Sequence, residues 1–569
     1  MPKAWHNLKR ARARLHLFAV LVCVALCGIS LRLMTFGLSG PMPARAATTQ
    51  EAPAGERRAD IVDRNGVLLA TSISALSVFA DPRDVHDPQA TARALKKVLP
   101  ELDEAHIARR LAAPGSRFAW IERHITDAQA EDILELGLPG VDFRSEDKRI
   151  YPQGRLTSHI VGMSDVDGNG MSGIEKAFDG LLSREADPLR LALDVRVQRV
   201  VRDELARHIE EFSAKAGNAL VLDTQTGAIV AMASLPDFDP NHRDRLDRRA
   251  LFNRNTQGVY EVGSMFKLLT VAGALETGAV SIDSSFDVSE PLRIGRYTIN
   301  DYHGQYRLLS VPEVIVYSSN VAASKIALSM GRDRQRDFLY RLGMLERHPI
   351  ELPKGEVARP DWPQSWSDIH TATISFGHGI AVSPLHLADA VSTIVNGGVR
   401  HPATLLDVPD EGARPGAQVL PREISDLLRW MMWLNVATDE GSGTLAAVPG
   451  YMVGGKTGTA EKAGRGGYKK RNLLSSFIAA FPMNAPRYVV LVMLDEPQGI
   501  QETWGYATGG WVAAPAVGRI IQRIGPLLEV PPVAYAREEV FWTCVQKREA
   551  RNGRSGRTET GFAAGCTHF

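Results

Sequence analysis

The apolar residues of this chain are unevenly spread, and the longest run of them comes first. Leu15 to Leu31 is almost wholly apolar and continues past Arg32 to Leu38. A helix that spans a bilayer needs about 20 such residues, and an arginine near its outer end reaches the interface along its own aliphatic stem. Lys3, Lys9, Arg10, Arg12 and Arg14 precede the run. That positive flank predicts residues 1–14 in the cytoplasm, 15–38 as a membrane anchor and the rest of the chain on the far side. A cleaved signal peptide with Ala44-Arg45-Ala46 as its processing site is the competing reading, but that site lies far from the apolar run. Leu26, just before Cys27, is too large for lipoprotein cleavage. Residues 39–56, rich in Pro and Ala, read as a linker.

The pattern then shortens. Arg58 to Ser72 predicts two short strands around Asn65-Gly66, a tight-hairpin dipeptide. From about Pro88 to Leu136, Ala-rich amphipathic stretches predict helix, and Tyr151-Pro-Gln-Gly154 predicts a loop. Residues 57–190 thus make a mixed α+β module without an evident catalytic cluster. A helix is expected next, to about Phe212, and a hairpin from Ala219–Asp223 and Ala228–Ala233 around Thr226-Gly227. Met265 to Leu275 is apolar nearly all round and predicts a buried helix closed by Thr277-Gly278. Val311 to Met330 predicts two helices joined at Ser318-Ser319-Asn320, and Ser383-Pro384 opens a helix that Asn396-Gly397-Gly398 ends. Met452–Thr459, Leu474–Phe481 and Tyr488–Leu494 predict strands, with a solvated loop over Glu461–Asn472 and a helix over Trp511–Ile524. Residues 191–545 are therefore expected to form an antiparallel sheet with helices on both sides, of α+β class. Residues 546–569, basic and Gly-rich, read as a flexible tail.

Composition narrows the function. The 569 residues suffice for two or three domains. Lys+Arg 66 against Asp+Glu 65 leaves a formal charge of +1, which removes the electrostatic motive for nucleic-acid binding. The 15 His and 4 Cys show no metal-ligand spacing, so neither metal nor cofactor is expected. In Asp165–Gly173, Gly168, Gly170 and Gly173 match a dinucleotide fingerprint by spacing but lack its strand–turn–helix setting. A calcium loop begun at Asp165 would close on Lys176 where a glutamate is needed. A glycine-rich connector is the better reading. Cys23 and Cys27 lie in the apolar run and Cys544 and Cys566 near the C-terminus, with none between. That suits an oxidising compartment and leaves a Cys544–Cys566 disulfide open.

The chemistry gathers around Ser264-Met265-Phe266-Lys267. Gly263 gives a sharp entry, Ser264 starts the buried helix, and Lys267 at i+3 shares its face. A serine hydroxyl needs a base, and a lysine is one only when neutral, which burial and a second cation both favour. The spacing alone is weak: Ser145-Glu-Asp-Lys148 repeats it inside a charged run. Downstream, in order, come Ser318-Ser319-Asn320 and Lys456-Thr457-Gly458-Thr459. Ser-x-x-Lys, a Ser-x-Asn element and Lys-Thr-Gly together are the signature of penicillin-binding proteins and class A β-lactamases.

With these elements placed, the chain resembles the class B penicillin-binding proteins from the anchor to about residue 530. The likeness includes Asp60-Ile-Val-Asp-Arg-Asn-Gly-Val-Leu-Leu-Ala70, Tyr151-Pro-Gln-Gly-Arg155 and Gly173-Ile-Glu-Lys176. His159-Ile-Val-Gly-Met-Ser-Asp-Val-Asp-Gly-Asn-Gly170 is similar to the division-specific branch, the FtsI type. The resemblance implies the serine transpeptidase fold for 191–545 and a non-catalytic, dimerisation-like pedestal for 57–190, too short for a glycosyltransferase domain. It implies a septal D,D-transpeptidase of the bacterial inner membrane, its catalytic domain periplasmic. The substrates would be stem peptides on lipid-linked precursor strands, and β-lactams would be covalent inhibitors. A SEDS glycosyltransferase of the FtsW type and other divisome membrane proteins would be partners.

Carried onto this chain, the resemblance makes Ser264 the nucleophile and Lys267 its base. Ser318 becomes a proton relay linked to Lys267 and Lys456, and Asn320 a ligand of the lysine and of a substrate amide. Lys456 is the second cation. Thr457 and Thr459 face the substrate carboxylate, Gly458 admits the substrate backbone, and the amides of Ser264 and Thr459 form an oxyanion hole. Gly377-His378-Gly379 resembles a loop lining the cleft. An elongation-specific transpeptidase, a serine β-lactamase and a non-enzymatic β-lactam sensor are the alternatives; no hydrolytic glutamate in a matching motif supports the second.

Overall fold

A three-stranded antiparallel meander and a hairpin, distant in sequence, build the central sheet. Gly454–Gly464, Gly467–Phe481, Tyr488–Asp495, Ala216–Asp223 and Ile229–Leu235 lie in that order, each antiparallel to its neighbour. The computed structural model describes residues 57–533 except 185–186, 409–415 and 465–466, together with Val20, Leu26 and Cys27. The expected anchor and linker otherwise, and the tail with Cys544 and Cys566, lie outside the described residues. Among those described, no helix is long and apolar enough to cross a membrane.

The sheet is buried on both faces, which is why its strands read as unbroken apolar runs rather than alternating ones. Val490, Val492 and Leu494 join a core with Val197, Val201 and Leu205 of the helix Val195–Glu211 and Val512, Val517 and Ile521 of the helix Gly509–Leu527. Val489, Leu491 and Met493 face a second core with Leu268 and Leu269 of the helix Lys267–Glu276 and with the helices Pro384–Val395 and Arg422–Ala437. The predicted sheet between helix layers is present. Ser383 caps the helix Pro384–Val395 as its motif predicts, accepting from the His386 amide.

Sequence and structure differ in two stretches. The expected loop over 461–472 is largely strand: the hairpin continues in register through Lys462↔Lys469 to Gly464↔Gly467. Lys462 is anchored there by Asp495 and Glu496 at 2.7 and 3.0 Å, so its charge marks a paired site and not a loop. Within the expected helical region 88–136, three helices occur (Pro88–Val98, Glu104–Leu111, Asp127–Glu135), but Ala119–Ile125 is a strand. Its buried Ala119, Ile121 and Ile125 point to a core with Val78, Leu95 and Ile133, and that period of two was masked by the helical pattern on either side.

That strand and Val141–Ile150 both pair with Leu68–Ala80, which also pairs with Ile61–Val62 across the predicted Asn65-Gly66 turn. Asp63 Oδ1 accepts from the amides of Asn65 and Val67, each at 2.8 Å, and so sets the turn. Ser145–Lys148 is part of the strand Val141–Ile150, without any helix to join its serine to its lysine. Asp165 likewise serves a turn, accepting from the Asp167 and Asn169 amides between two short strands. Ile61, Leu69, Ile160 and Ile174 belong to the same core as Leu222 and Ile229 of the central sheet. From Arg57 onward the described residues make one compact unit.

Candidate active site

The turn that carries Ser264 is tighter than an α-helix. Gly263–Phe266 is a 3-10 turn that runs directly into the α-helix Lys267–Glu276. Side chains three apart eclipse in such a turn, which brings Lys267 Nζ to 2.9 Å from Ser264 Oγ. Gly263 enters the turn at φ +60°, where a Cβ would stand 3.0 Å from the carbonyl oxygen of Thr459. The first and third motifs are thus in backbone contact. Lys267 is fully buried while Ser264 retains some exposure.

The second motif closes over the lysine. The helix Val311–Val316, boxed at its start by Ser310 and Glu313, ends at Tyr317. Ser318 then takes a left-handed conformation, φ +58°, and Ser319 caps the helix Asn320–Met330. The turn aims Ser318 O, Ser318 Oγ (3.1 Å) and Asn320 Oδ1 (2.7 Å) at Lys267 Nζ. Two of these are pure acceptors, while the hydroxyls of Ser264 and Ser318 can donate. A neutral amine has two N–H groups and one lone pair, so the cage satisfies it in full, with the lone pair left for the Ser264 proton.

Lys456 lies on the edge strand Gly454–Gly464, fully buried. Its Nζ is 3.2 Å from Thr457 Oγ1 and 3.5 Å from Ser442 Oγ, and those two hydroxyls are 2.8 Å apart. Ser318 Oγ contacts Lys267, and the hydrogen bonds of Lys456 run instead to this hydroxyl pair. Asn435 fixes the pair from behind: it accepts from Ser442 Oγ at 3.1 Å and donates to Gly455 O at 2.9 Å. Thr459 Oγ1 accepts from the Gly509 amide at 3.0 Å. Gly458 has an internal reason to lack a side chain, since a Cβ would lie 2.4 Å from Ser476 Oγ and 2.7 Å from Val262 O. Gly377 abuts the nucleophile turn, its Cβ position 2.3 Å from Gly263 O, and so brings the His378 loop to the cleft. Ser442, Asn435 and Asp301, a carboxylate beside the second motif, escaped the motif reading; nothing in their local sequence distinguishes them from ordinary polar residues.

Two ammonium groups in one dry cleft cannot both keep their protons. Burial holds Lys267 well below the usual lysine range, the charge of Lys456 lowers it further, and Asp301 opposes. Burial lowers Lys456 to about 7. Both amines are lowered by burial, and only Lys267 is lowered further by the charge of the other. Burial also lowers His378, with Lys267 pushing the same way and Glu261 opposing.

The sequence profile of the penicillin-binding protein transpeptidase domain matches residues 217–522, and that of the penicillin-binding protein dimerisation domain matches 53–222. The chain is 41% identical to a probable peptidoglycan D,D-transpeptidase FtsI of Caulobacter vibrioides, over 83% of this chain and 82% of that protein. It is 32% identical to the peptidoglycan D,D-transpeptidase FtsI of Escherichia coli, over 88% of each. A peptidoglycan synthetase of Bifidobacterium adolescentis has the same fold, with a TM-score of 0.66 at 23% identity over 85% of this chain and 97% of that one. The transpeptidase match spans the Ser264, Ser318 and Lys456 segments, and on that ground the chain belongs to the penicillin-binding protein transpeptidase family.

Proposed function

We propose that this chain cross-links peptidoglycan as a serine-type D,D-transpeptidase, with Ser264 as nucleophile and Lys267 as general base. Ser264 Oγ attacks the carbonyl of the penultimate D-Ala of a stem peptide ending in D-Ala-D-Ala, and its proton passes to Lys267 Nζ. The C–N bond breaks, the proton reaches the leaving amine through Ser318, and terminal D-Ala departs. An amine of a neighbouring stem peptide then attacks the acyl-enzyme, forms the cross-link and returns the hydroxyl to Ser264. Lys456, Thr457 and Thr459 receive the substrate carboxylate. The amides of Ser264 and Thr459 stabilise the oxyanion, each such donor being worth about 3 kcal/mol. The observation that carries the reading is the 2.9 Å approach of a fully buried lysine, whose charged form burial disfavours, to the hydroxyl of the partly exposed Ser264.

The same reading makes the chain a single-pass inner-membrane protein anchored by 15–38, with 57–190 as pedestal and 191–545 as periplasmic catalytic domain. It works at the division septum beside a SEDS glycosyltransferase. The FtsI names of the relatives and the basic-then-apolar N-terminus support this assignment. Labelled penicillin tests the chemistry: a long-lived adduct on Ser264, lost in Ser264→Ala, is expected, and rapid release of label would instead mark a β-lactamase. Depletion tests the branch, with filaments expected and round cells pointing to the elongation machinery.

A further inference from the structure

Beside the catalytic cage lies a carboxylate that none of the three motifs contains. Asp301 sits in the loop before the helix Val311–Val316. Its Oδ1 accepts from the amides of Asn320 (2.5 Å) and Val321 (3.0 Å), and its Oδ2 accepts from Ser319 Oγ (2.7 Å). Ser319 Oγ in turn accepts from the Ala322 amide at 3.0 Å. The first amides of a helix have no intrahelical acceptor, and a negative charge is favoured there. Ser319 alone, as an ordinary N-cap, would leave the amides of Asn320 and Val321 open.

We propose that Asp301 is a positioning residue, clamping the start of the helix Asn320–Met330 so that Ser318 and Asn320 stay turned onto Lys267. The inference rests on the reading of Lys267 as the base. Two further observations support it. Ser318 adopts a left-handed backbone, φ +58°, a conformation a non-glycine residue holds only when its surroundings impose it; the clamp takes hold within two residues, at Ser319 and the Asn320 amide. Asn300, next to Asp301, accepts from Asn320 Nδ2 through its backbone oxygen at 3.2 Å. The pair therefore grips Asn320 by amide and side chain together, which leaves Oδ1 facing Lys267 at 2.7 Å. The charged and titratable groups facing Lys267 are Lys456 from the edge strand, Asp301 from this loop and His378 from the Gly377–Gly379 loop, the last also facing Glu261. Lys456 favours the neutral amine and Asp301 the protonated one, so Asp301 also limits how far the base is weakened.

The test is the acylation rate of the full-length, detergent-solubilised protein with labelled penicillin across pH. Asp301→Ala is expected to acylate about 10- to 100-fold more slowly, the cost of a misplaced catalytic group. Asp301→Asn still accepts from both backbone amides and is expected to lose less, with the acid limb of its pH profile moved to lower pH. A purely structural role would lower the melting temperature and leave the limb unmoved. Wild-type acylation by Asp301→Ala, an unmoved limb in Asp301→Asn, or failure of Asp301→Asn to fold would overturn the proposal; if Asp301→Ala does not fold, the Asn variant carries the test. A wild-type chain that is not labelled on Ser264 would defeat the transpeptidase reading itself before any variant is compared.

Discussion

The chemistry of this site comes down to where two lysines put their protons. Lys267 loses its proton first because it is buried beside a second ammonium group, and Lys456 keeps its own up to about pH 7. The second-order rate of acylation reports the free enzyme. It should rise as pH climbs through the lowered value of Lys267 and fall again as Lys456 discharges, from about pH 7 upward. Lys456→Arg should abolish the alkaline fall, since a guanidinium stays charged throughout, though its bulk will lower the plateau. Stopped-flow acylation from pH 5 to 10 measures both limbs, and an alkaline limb that persists in the arginine variant would contradict the assignment.

At the scale of elements, two backbone contacts join segments far apart in the chain. The edge strand meets the nucleophile turn where Gly458 faces Val262 and Gly263 faces Thr459. Gly458→Ala inserts a methyl where neither backbone nor Ser476 leaves room, and overpacking of that kind costs about 1–3 kcal/mol. The strand should move off the turn, so penicillin acylation is expected to fall more than the melting temperature alone would suggest. The N-terminal part of the described chain has its own anchor point. Glu175 is fully buried and receives Arg58 and Arg149 at 2.6 and 2.7 Å. Glu175→Ala would take the carboxylate from the buried Arg149 and leave Arg58 with Asp179 alone, and should cost about 3–5 kcal/mol. Denaturant titration reads that loss directly, while the acylation rate of the remaining folded protein is expected to hold.

For the molecule as a whole, the catalytic cleft is a stability cost. A lysine held near 7 binds its proton less readily folded than unfolded. Its penalty is complete below about pH 7, shrinks as pH rises, and vanishes above the ordinary lysine value of about 10.4. Lys456→Met is therefore expected to melt above the parent at pH 7, with the gap closing toward pH 10, and to be deficient in acylation; a gap independent of pH would mean that burial is not the cause.

The legible part of the architecture was what local pattern encodes. Central strands buried on both faces announce themselves as apolar runs, Ser383-Pro384 and Asn396-Gly397 bracket a helix, and Asn65-Gly66 makes its turn. The strand Ala119–Ile125 escapes local periodicity because its partner, Leu68–Ala80, lies far off in the chain; the arms beyond Glu461 escape it because their polar, Gly-rich sequence shows no strand pattern, and only their pairing with each other holds them extended. The Ser264, Ser318 and Lys456 segments were recognisable as chemistry because they are written contiguously. Tertiary structure alone decided that Ser264 stands in a 3-10 turn above its base, that Lys456 turns to Ser442 and Thr457, and that Asp301 and Asn435 brace the two sides. Those facts depend on which polar groups share a dry space after folding. Distance and dielectric are properties of the packed chain, and no stretch of residues carries them alone.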